Sequence, residues 1–266
     1  MKKVLIFVLT AILAVSFTAC GTKSSTSEDK KVIKVGATPL PHAEILEQVK
    51  PILAKQGYTL QIVEFTDYVT PNTALAEGDL DANFFQHVPY LEKTKQEKKL
   101  DLTYTVKVHI EPMGVYSKKY KKLGDLKEGS KIAIPNDPTN AARALRVLET
   151  AGLIKVKAGE LVTELDITDN PKKFQVIELD APQLPRALED VAAAVINTNY
   201  ALEAKLNPTK DALAIESKDS PYANVLAVRT EDKEKPYIKA LSAALNSPEI
   251  KKFIEEKYKG NIVPAF

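Results

Sequence analysis

Lys131-Ile-Ala-Ile-Pro135, running on into Asn136-Asp-Pro-Thr-Asn140-Ala-Ala-Arg143, is the stretch from which the fold is read. A short apolar run bounded by Pro is a buried strand. The Asn-Asp-Pro-Thr that follows supplies an N-cap and a first-turn proline, and residues 140–150 carry a helical pattern. The same change of period recurs outward in both directions. Residues 32–37 and 58–65 read as extended, 43–55 as helix, and 72–76 as helical turns. Residues 174–179 and 191–196 read as strands around a helix at 185–190, and 235–258 as helix with a second start at Pro248. Short apolar strands alternating with helices predict α/β architecture with mainly parallel sheets. No internal repeat is visible.

The chain has 266 residues, enough for two packed domains of roughly 100 to 130 residues each. With 44% hydrophobic and 27% charged residues it builds an ordinary core, which excludes collagen-like and wholly disordered classes. Lys plus Arg number 37 against 35 acidic residues, and taking Lys2 and Lys3 away with the leader leaves 35 against 35. A neutral chain lacks the electrostatic footprint of nucleic-acid binding. One cysteine forbids an internal disulfide and excludes thiol-rich metal sites.

That cysteine belongs to a leader. Lys2 and Lys3 precede an apolar run over residues 4–15 broken only by Thr10, and Ser16-Phe-Thr-Ala-Cys20-Gly21 closes it. The run is too short for a membrane span of ~20 residues and reads as a secretory signal. It resembles a bacterial lipoprotein signal, with Phe17 where the pattern prefers Leu. The resemblance implies that residues 1–19 are removed and that Cys20 bears the lipid, palmitate among its acyl chains. Residues 21–31 hold no apolar side chain and read as a flexible tether, so the body starts near Val32.

In open α/β sheets ligands sit beyond the carboxyl ends of strands. Three groups of residues stand there: Asp67, Tyr68, Pro71 and Asn72; residues 136–140; and residues 197–200. Between the first two, Asp79-Leu-Asp-Ala-Asn-Phe-Phe-Gln-His-Val-Pro-Tyr90 gathers Phe84, Phe85, His87 and Tyr90 in a chain only 7% aromatic. Phe84 suits core and pocket equally; Phe85, His87 and Tyr90, with polar Asn83 and Gln86, suit a pocket wall. Arginine occurs only as Arg143, Arg146, Arg186 and Arg229. Arg143, near a helix start that already offers free N–H groups, is placed to fork a carboxylate, and Arg146 to make a surface ion pair. Asn197, Asn199 and Asn224 offer oxygens for an ammonium group. His42, His87 and His109 have no metal-site spacing, so no metal is expected. Gly124-Asp-Leu-Lys-Glu-Gly129-Ser-Lys131 fails as a phosphate loop, because Ser-Lys replaces Lys-Ser and a strand follows. G-x-S-x-G, H-E-x-x-H and dinucleotide motifs are absent, so no enzyme and no cofactor is expected.

Six pieces in order carry a resemblance over nearly the whole chain: Phe65-Thr-Asp-Tyr-Val-Thr-Pro-Asn72, Gly78-Asp-Leu-Asp-Ala-Asn-Phe-Phe-Gln-His87, Glu111-Pro-Met-Gly114, Ile134-Pro-Asn-Asp-Pro-Thr-Asn140 with Arg143, Ile196-Asn-Thr-Asn-Tyr-Ala201, and Tyr222-Ala-Asn-Val225. In these the chain resembles the MetQ/NlpA-type methionine-binding lipoproteins, the solute-binding components of ABC importers. The resemblance implies a two-lobed periplasmic-binding-protein fold of type II with two inter-lobe crossings, residues 32–112 plus 225–266 forming one lobe and 113–224 the other. It implies that Arg143 binds the ligand carboxylate and that Asn199 and Asn224 hold its ammonium and carboxylate groups. Tyr68, Phe85, His87 and Tyr90 would line a thioether pocket, with Asn140 supporting the polar end. The partners implied are methionine or a related amino acid, an ABC permease with its ATPase, and the outer face of the cell membrane through Cys20. A monomer is expected. The alternatives are the same fold with another cargo (D-methionine, a methionine dipeptide, another amino acid) and a surface-display or adhesion lipoprotein.

Overall fold

The computed structural model describes residues 30–266; the leader, Cys20 and the tether as far as residue 29 lie outside the described residues. The chain first runs through β1 (Val32–Ala37), α1 (Glu44–Ala54), β2 (Thr59–Glu64), α2 (Thr70–Ala76), β3 (Ala82–His87), α3 (Val88–Lys98) and β4 (Leu102–Ile110). It continues through β5 (Gly114–Tyr116), β6 (Lys131–Pro135), α4 (Pro138–Thr150), β7 (Lys155–Val156), β8 (Ile167–Asp169), β9 (Gln175–Leu179), α5 (Leu184–Ala187), β10 (Ala193–Ile196), α6 (Thr198–Glu203), α7 (Pro208–Asp211) and β11 (Ala214–Ile215). Then follow β12 (Ala223–Arg229), α8 (Pro236–Leu245), α9 (Pro248–Tyr258) and β13 (Val263–Pro264).

The strands form a six-stranded sheet in the order β13-β4-β12-β3-β1-β2 and a five-stranded sheet in the order β11-β5-β10-β6-β9, with β7 and β8 paired apart. Helical crossovers put β1 parallel to β2 and β3, and β6 parallel to β9 and β10. The sheets are nonetheless not mainly parallel, as the alternation predicts. β12 enters from the second sheet without a crossover on the first, and it lies antiparallel to both β3 and β4. β5 likewise enters from the first sheet and runs antiparallel to β10. The alternating Leu102, Tyr104, Val106, Val108 and Ile110 of β4 carry the sequence signal for this flank.

Both sheets are covered on both faces, so β10 and most of β6 and β12 read as apolar runs, whereas the central β3 carries buried Asn83 and Gln86. On the first sheet, Leu46, Val49 and Leu53 of α1 pack with Val35 and with Leu241 of α8. Its other face carries Leu75 of α2 and Leu91 of α3 against Val225 and Ala227. On the second sheet, Leu145 and Leu148 of α4 cover Ile132, Ile134 and Val195. The opposite face packs Leu184, Leu188 and Tyr200 on Ala133 and Ile196. The helix expected over 185–190 is shorter and earlier: a 3-10 turn at Ala181–Gln183 runs into α5, whose Pro185 sits in the first turn where a missing N–H costs nothing.

Candidate ligand-binding site

Two strand-to-helix corners face each other between the sheets. β3 ends at His87, the N-cap of α3, whose Nδ1 accepts the Tyr90 backbone N–H at 3.1 Å. β6 ends just before Asp137, the N-cap of α4, whose Oδ1 accepts the Asn140 N–H at 2.9 Å. Each helix has a proline in its first turn, pre-set for helical φ. The corners touch where His87 Nε2 meets Asn140 Oδ1 at 3.1 Å. Because Nδ1 accepts, Nε2 carries the proton and donates. Burial, and then the Arg143 charge, push the His87 pKa down to about 3, so this imidazole is neutral.

The corners enclose a cavity of about 340 Å³, counting its opening to solvent. Tyr68, Phe85 and Tyr90 make its aromatic side, with Tyr68 centred 5.9 Å from each of the other two rings. His87 and Asn224 line it from the first sheet, and Asn140, Arg143 and Asn199 from the second. All eight residues to which the resemblance gives a ligand role therefore border one space. Phe84 does not: it is fully buried in the first core, edge-on to His42 at 4.7 Å. Gln86, Glu111, Asn197 and Thr198 also line the cavity, without a role from the resemblance. Their positions carried a signal, since Gln86 lies between two wall residues, Glu111 joins the sheets, and Asn197 closes β10.

Arg143 is buried and already holds a carboxylate of the protein. Its Nε and Nη2 donate to Glu216 at 3.0 and 2.5 Å, Nη2 donates to the Glu111 carbonyl at 2.7 Å, and the guanidinium lies 4.2 Å from the Tyr222 ring centre. Nη1 takes part in none of these bonds. The fork expected to meet a ligand is thus largely spent on Glu216, leaving one edge toward the cavity. Arg146, one turn later, points away and donates to Glu149 and to the carbonyls of Lys157 and Gly159.

Two histidines without sequence spacing do converge. His42, His109 and Glu111 bring possible metal-ligand atoms within 4.8 Å of one another, all buried. Both rings turn Nε2 to the same Glu111 Oε1, at 3.2 Å from His42 and 2.7 Å from His109. His42 Nε2 also meets Asn224 Oδ1 at 3.1 Å, and its Nδ1 meets Thr38 Oγ1 at 2.7 Å. Burial lowers the His42 pKa to about 4 and that of His109 to about 3, and raises that of Glu111. With His109 Nε2 hydrogen-bonded to Glu111 Oε1, and His42 Nε2 to Asn224 Oδ1 beside the same carboxylate, the two neutral imidazoles form a brace under Glu111 and Asn224.

A cavity with one aromatic side and one rich in amides and arginine, set between the strand ends of two α/β sheets, is the construction of a solute-binding protein. The chain belongs to the NlpA lipoprotein family, whose model matches residues 33–266. It is 44% identical to the methionine-binding lipoprotein MetQ of Bacillus subtilis, over 100% of this chain and 99% of that one. It is 40% identical to the D-methionine-binding lipoprotein MetQ of Salmonella typhimurium, over 95% and 94% of the two chains. Among solved structures, a nutrient-binding protein of Burkholderia cenocepacia bound to methionine superposes with a TM-score of 0.86 at 52% identity, covering 88% of this chain and 100% of that one. Among the described residues no helix is long and apolar enough to cross a membrane.

Proposed function

We propose that this protein is the substrate-binding lipoprotein of a methionine ABC importer. It takes methionine into the cavity between its sheets and delivers it to a permease driven by its ATPase. In this reading the sheets are the lobes of a type II periplasmic-binding-protein fold, residues 32–112 with 223–266 and residues 113–222, the second boundary falling two residues earlier than the resemblance implies because Ala223 and Asn224 already pair within the first sheet. The connections at 111–113 and 216–222 are the hinge, and the chain works as a monomer. Lipid on Cys20 holds it on the extracytoplasmic face of the membrane. The observation that carries the reading is the meeting of the eight named side chains around one cavity. The magnitudes suffice. Burying a methionine side chain contributes about 1.5 to 3 kcal/mol and each charge-assisted hydrogen bond about as much, so four or five such bonds reach micromolar affinity or better after ordering costs.

The test is to unfold the purified full-length protein, identify what it releases by mass spectrometry, and titrate the refolded, emptied protein with L-methionine, D-methionine and glycyl-methionine. A ligand at 100 times its Kd raises stability by about 2.7 kcal/mol, which a melt resolves. Released methionine and a selective shift are expected. No release and no shift with any of the three would remove methionine from the reading. The name of the Salmonella relative favours D-methionine as a second cargo, and the same titration ranks the two enantiomers.

A further inference from the structure

The cavity lies beyond the carboxyl ends of the strands, so the opposite edge of each sheet faces away from it. On the second sheet that edge is formed by the start of β6, where Lys131 pairs with Gln175 of β9 and Ile132 with Ala193 of β10, and by the end of β5, where Tyr116 pairs with Ala194. Residues 117–130, 170–174 and 189–192 are the connections that close it. Together with Lys131 they carry eight lysines against four carboxylates. Residues 113–222 as a whole hold 16 basic and 16 acidic side chains. Half of the positive charge of this region is therefore gathered at one edge, and the remainder, on the cavity side, is net negative.

The local sequence explains why these lysines face outward. In Lys118-Lys-Tyr-Lys-Lys-Leu-Gly-Asp-Leu-Lys127 an apolar anchor recurs at every third residue: Leu126 is buried, and Tyr120 and Leu123 pack half-buried on the core of the second sheet. The lysine pairs on either side of Tyr120 are left exposed. The loop is fastened from beneath, where Lys172 Nζ donates to the carbonyls of Gly124 and Leu126 at 2.7 and 2.8 Å and the Gly129 N–H donates to the Lys172 carbonyl at 2.7 Å. Lys118 pairs with Glu189, Lys173 pairs with Glu128, and Lys119 donates to the Asp190 carbonyl. Lys121, Lys122, Lys127 and Lys131 are exposed and make no ion pair among the described residues. Four unmatched ammonium groups thus stand on a surface whose backbone is held in place.

We propose that this edge docks a linear phosphodiester polymer lying outside the membrane, with Lys121, Lys122, Lys127 and Lys131 meeting its spaced phosphates. Lysines act as point charges and suit phosphates that follow one another along a chain, whereas two-pronged recognition of a single group calls for arginine. The inference goes beyond the transport reading above and rests on its lipid anchorage. Chain length decides between a polymer and the lipid surface itself. β1 starts at Val32 on the outward edge of the first sheet, so the anchor joins the end of the molecule opposite the lysines. The twelve residues from Cys20 to Lys31 reach at most about 43 Å when fully extended. A six-residue β1 and a five-residue β6 already span about 36 Å between the two outward edges, before the cavity and the connections are added. A bilayer that holds Cys20 therefore stays short of the lysines, which face away from it.

The experiment places the full lipidated protein in nanodiscs of phosphatidylcholine and follows the fluorescence anisotropy of end-labelled poly(glycerol phosphate). Binding is expected to weaken about 50-fold between 50 and 200 mM salt, the dependence of about four phosphate contacts on a flexible polyanion. The joint variant Lys121→Gln, Lys122→Gln, Lys127→Gln and Lys131→Gln should lose about tenfold or more in affinity and flatten that dependence, while holding methionine within about twofold. Arginine at the same four positions should keep the polymer bound. The control variant Lys55→Gln, Lys107→Gln, Lys233→Gln and Lys251→Gln removes the same charge from exposed positions around the first sheet and should bind within about twofold of wild type. An equal loss in the control, or a wild type that does not bind the polymer, would overturn the inference and leave methionine binding in place. Polymer binding that vanishes in nanodiscs containing phosphatidylglycerol would put the lysines on the bilayer and overturn the choice of partner. Mass spectrometry of the same sample reports the lipid on Cys20, and without it the inference falls together with the anchorage on which it rests.

Discussion

The corners after β3 and β6 share a plan, a strand end, a capping side chain and a first-turn proline, yet one is capped by the imidazole of His87 and the other by the carboxylate of Asp137. An imidazole spends one nitrogen on the cap and keeps an N–H for a partner across the cleft. A carboxylate can only accept, so it anchors the direction of every hydrogen bond beyond it. The α4 corner also gains from a negative charge at the positive end of a 13-residue helix. A charged His87, buried beside Arg143, would cost the opposite. The difference teaches that a cap can serve its helix and still determine what a binding cavity presents.

Acid should expose this contrast most. His42, His87 and His109 have folded pKa values of about 4, 3 and 3, below the 6.5 of an unfolded histidine. Their neutral forms contribute stability that is complete above about pH 6.5 and is lost as pH falls toward the folded values, because the unfolded chain then binds more protons. Glu111, raised by burial, takes its proton earlier in the folded chain and offsets part of this excess. An excess of at most about three protons gives a slope of no more than about 4 kcal/mol per pH unit between pH 6 and 4.5. Denaturant unfolding across that range should show it, and His87→Gln should flatten the slope by about one proton. A stability independent of pH there would break the account.

Arg143→Ala strikes the other corner. Glu216 would lose its partner at a side chain only 13% exposed, so a stability loss of about 3 kcal/mol and a fall in methionine affinity of about 100-fold or more are expected. Unchanged affinity by calorimetry would sink its ligand role. Next in size, Asp137→Ala should cost about 1 to 2 kcal/mol for the lost cap and, by releasing Asn140 at the cavity, weaken methionine binding about tenfold. A melt together with a methionine titration reads both effects, and a stability loss without a change in affinity would confine Asp137 to capping. Arg146→Ala should be the smallest, below about 1 kcal/mol and with affinity within about twofold, because its partners lie on the surface away from the cavity. A larger affinity loss would mean that the β7 segment it braces reaches the ligand.

Much of this was legible in the residues themselves. The Asp-Pro start of α4, the strand before it and the apolar face of α1 depend on neighbours within a turn or two, and sequence spacing records such neighbours directly. So do the four clustered aromatics, although only burial separates Phe84 in the core from Phe85 at the cavity. The antiparallel entry of β12 was not legible, because it depends on where a returning chain finds an open place between β3 and β4.

The sequence by itself determined the alternation of strands and helices, the two capped corners, the aromatic wall and an arginine beside a helix start, all consequences of local periodicity and turn chemistry. Tertiary structure decided that Arg143 spends its fork on Glu216, that His42 and His109 meet at Glu111, and that Asn140, held by Asp137, turns its oxygen to His87 and Asn197. Those outcomes rest on contacts between distant positions, 53 residues apart for His87 and Asn140 and 182 for His42 and Asn224. A side-chain amide has no preferred polarity of its own. It acquires one only when folding places a group that can solely accept at the far end of its hydrogen bonds.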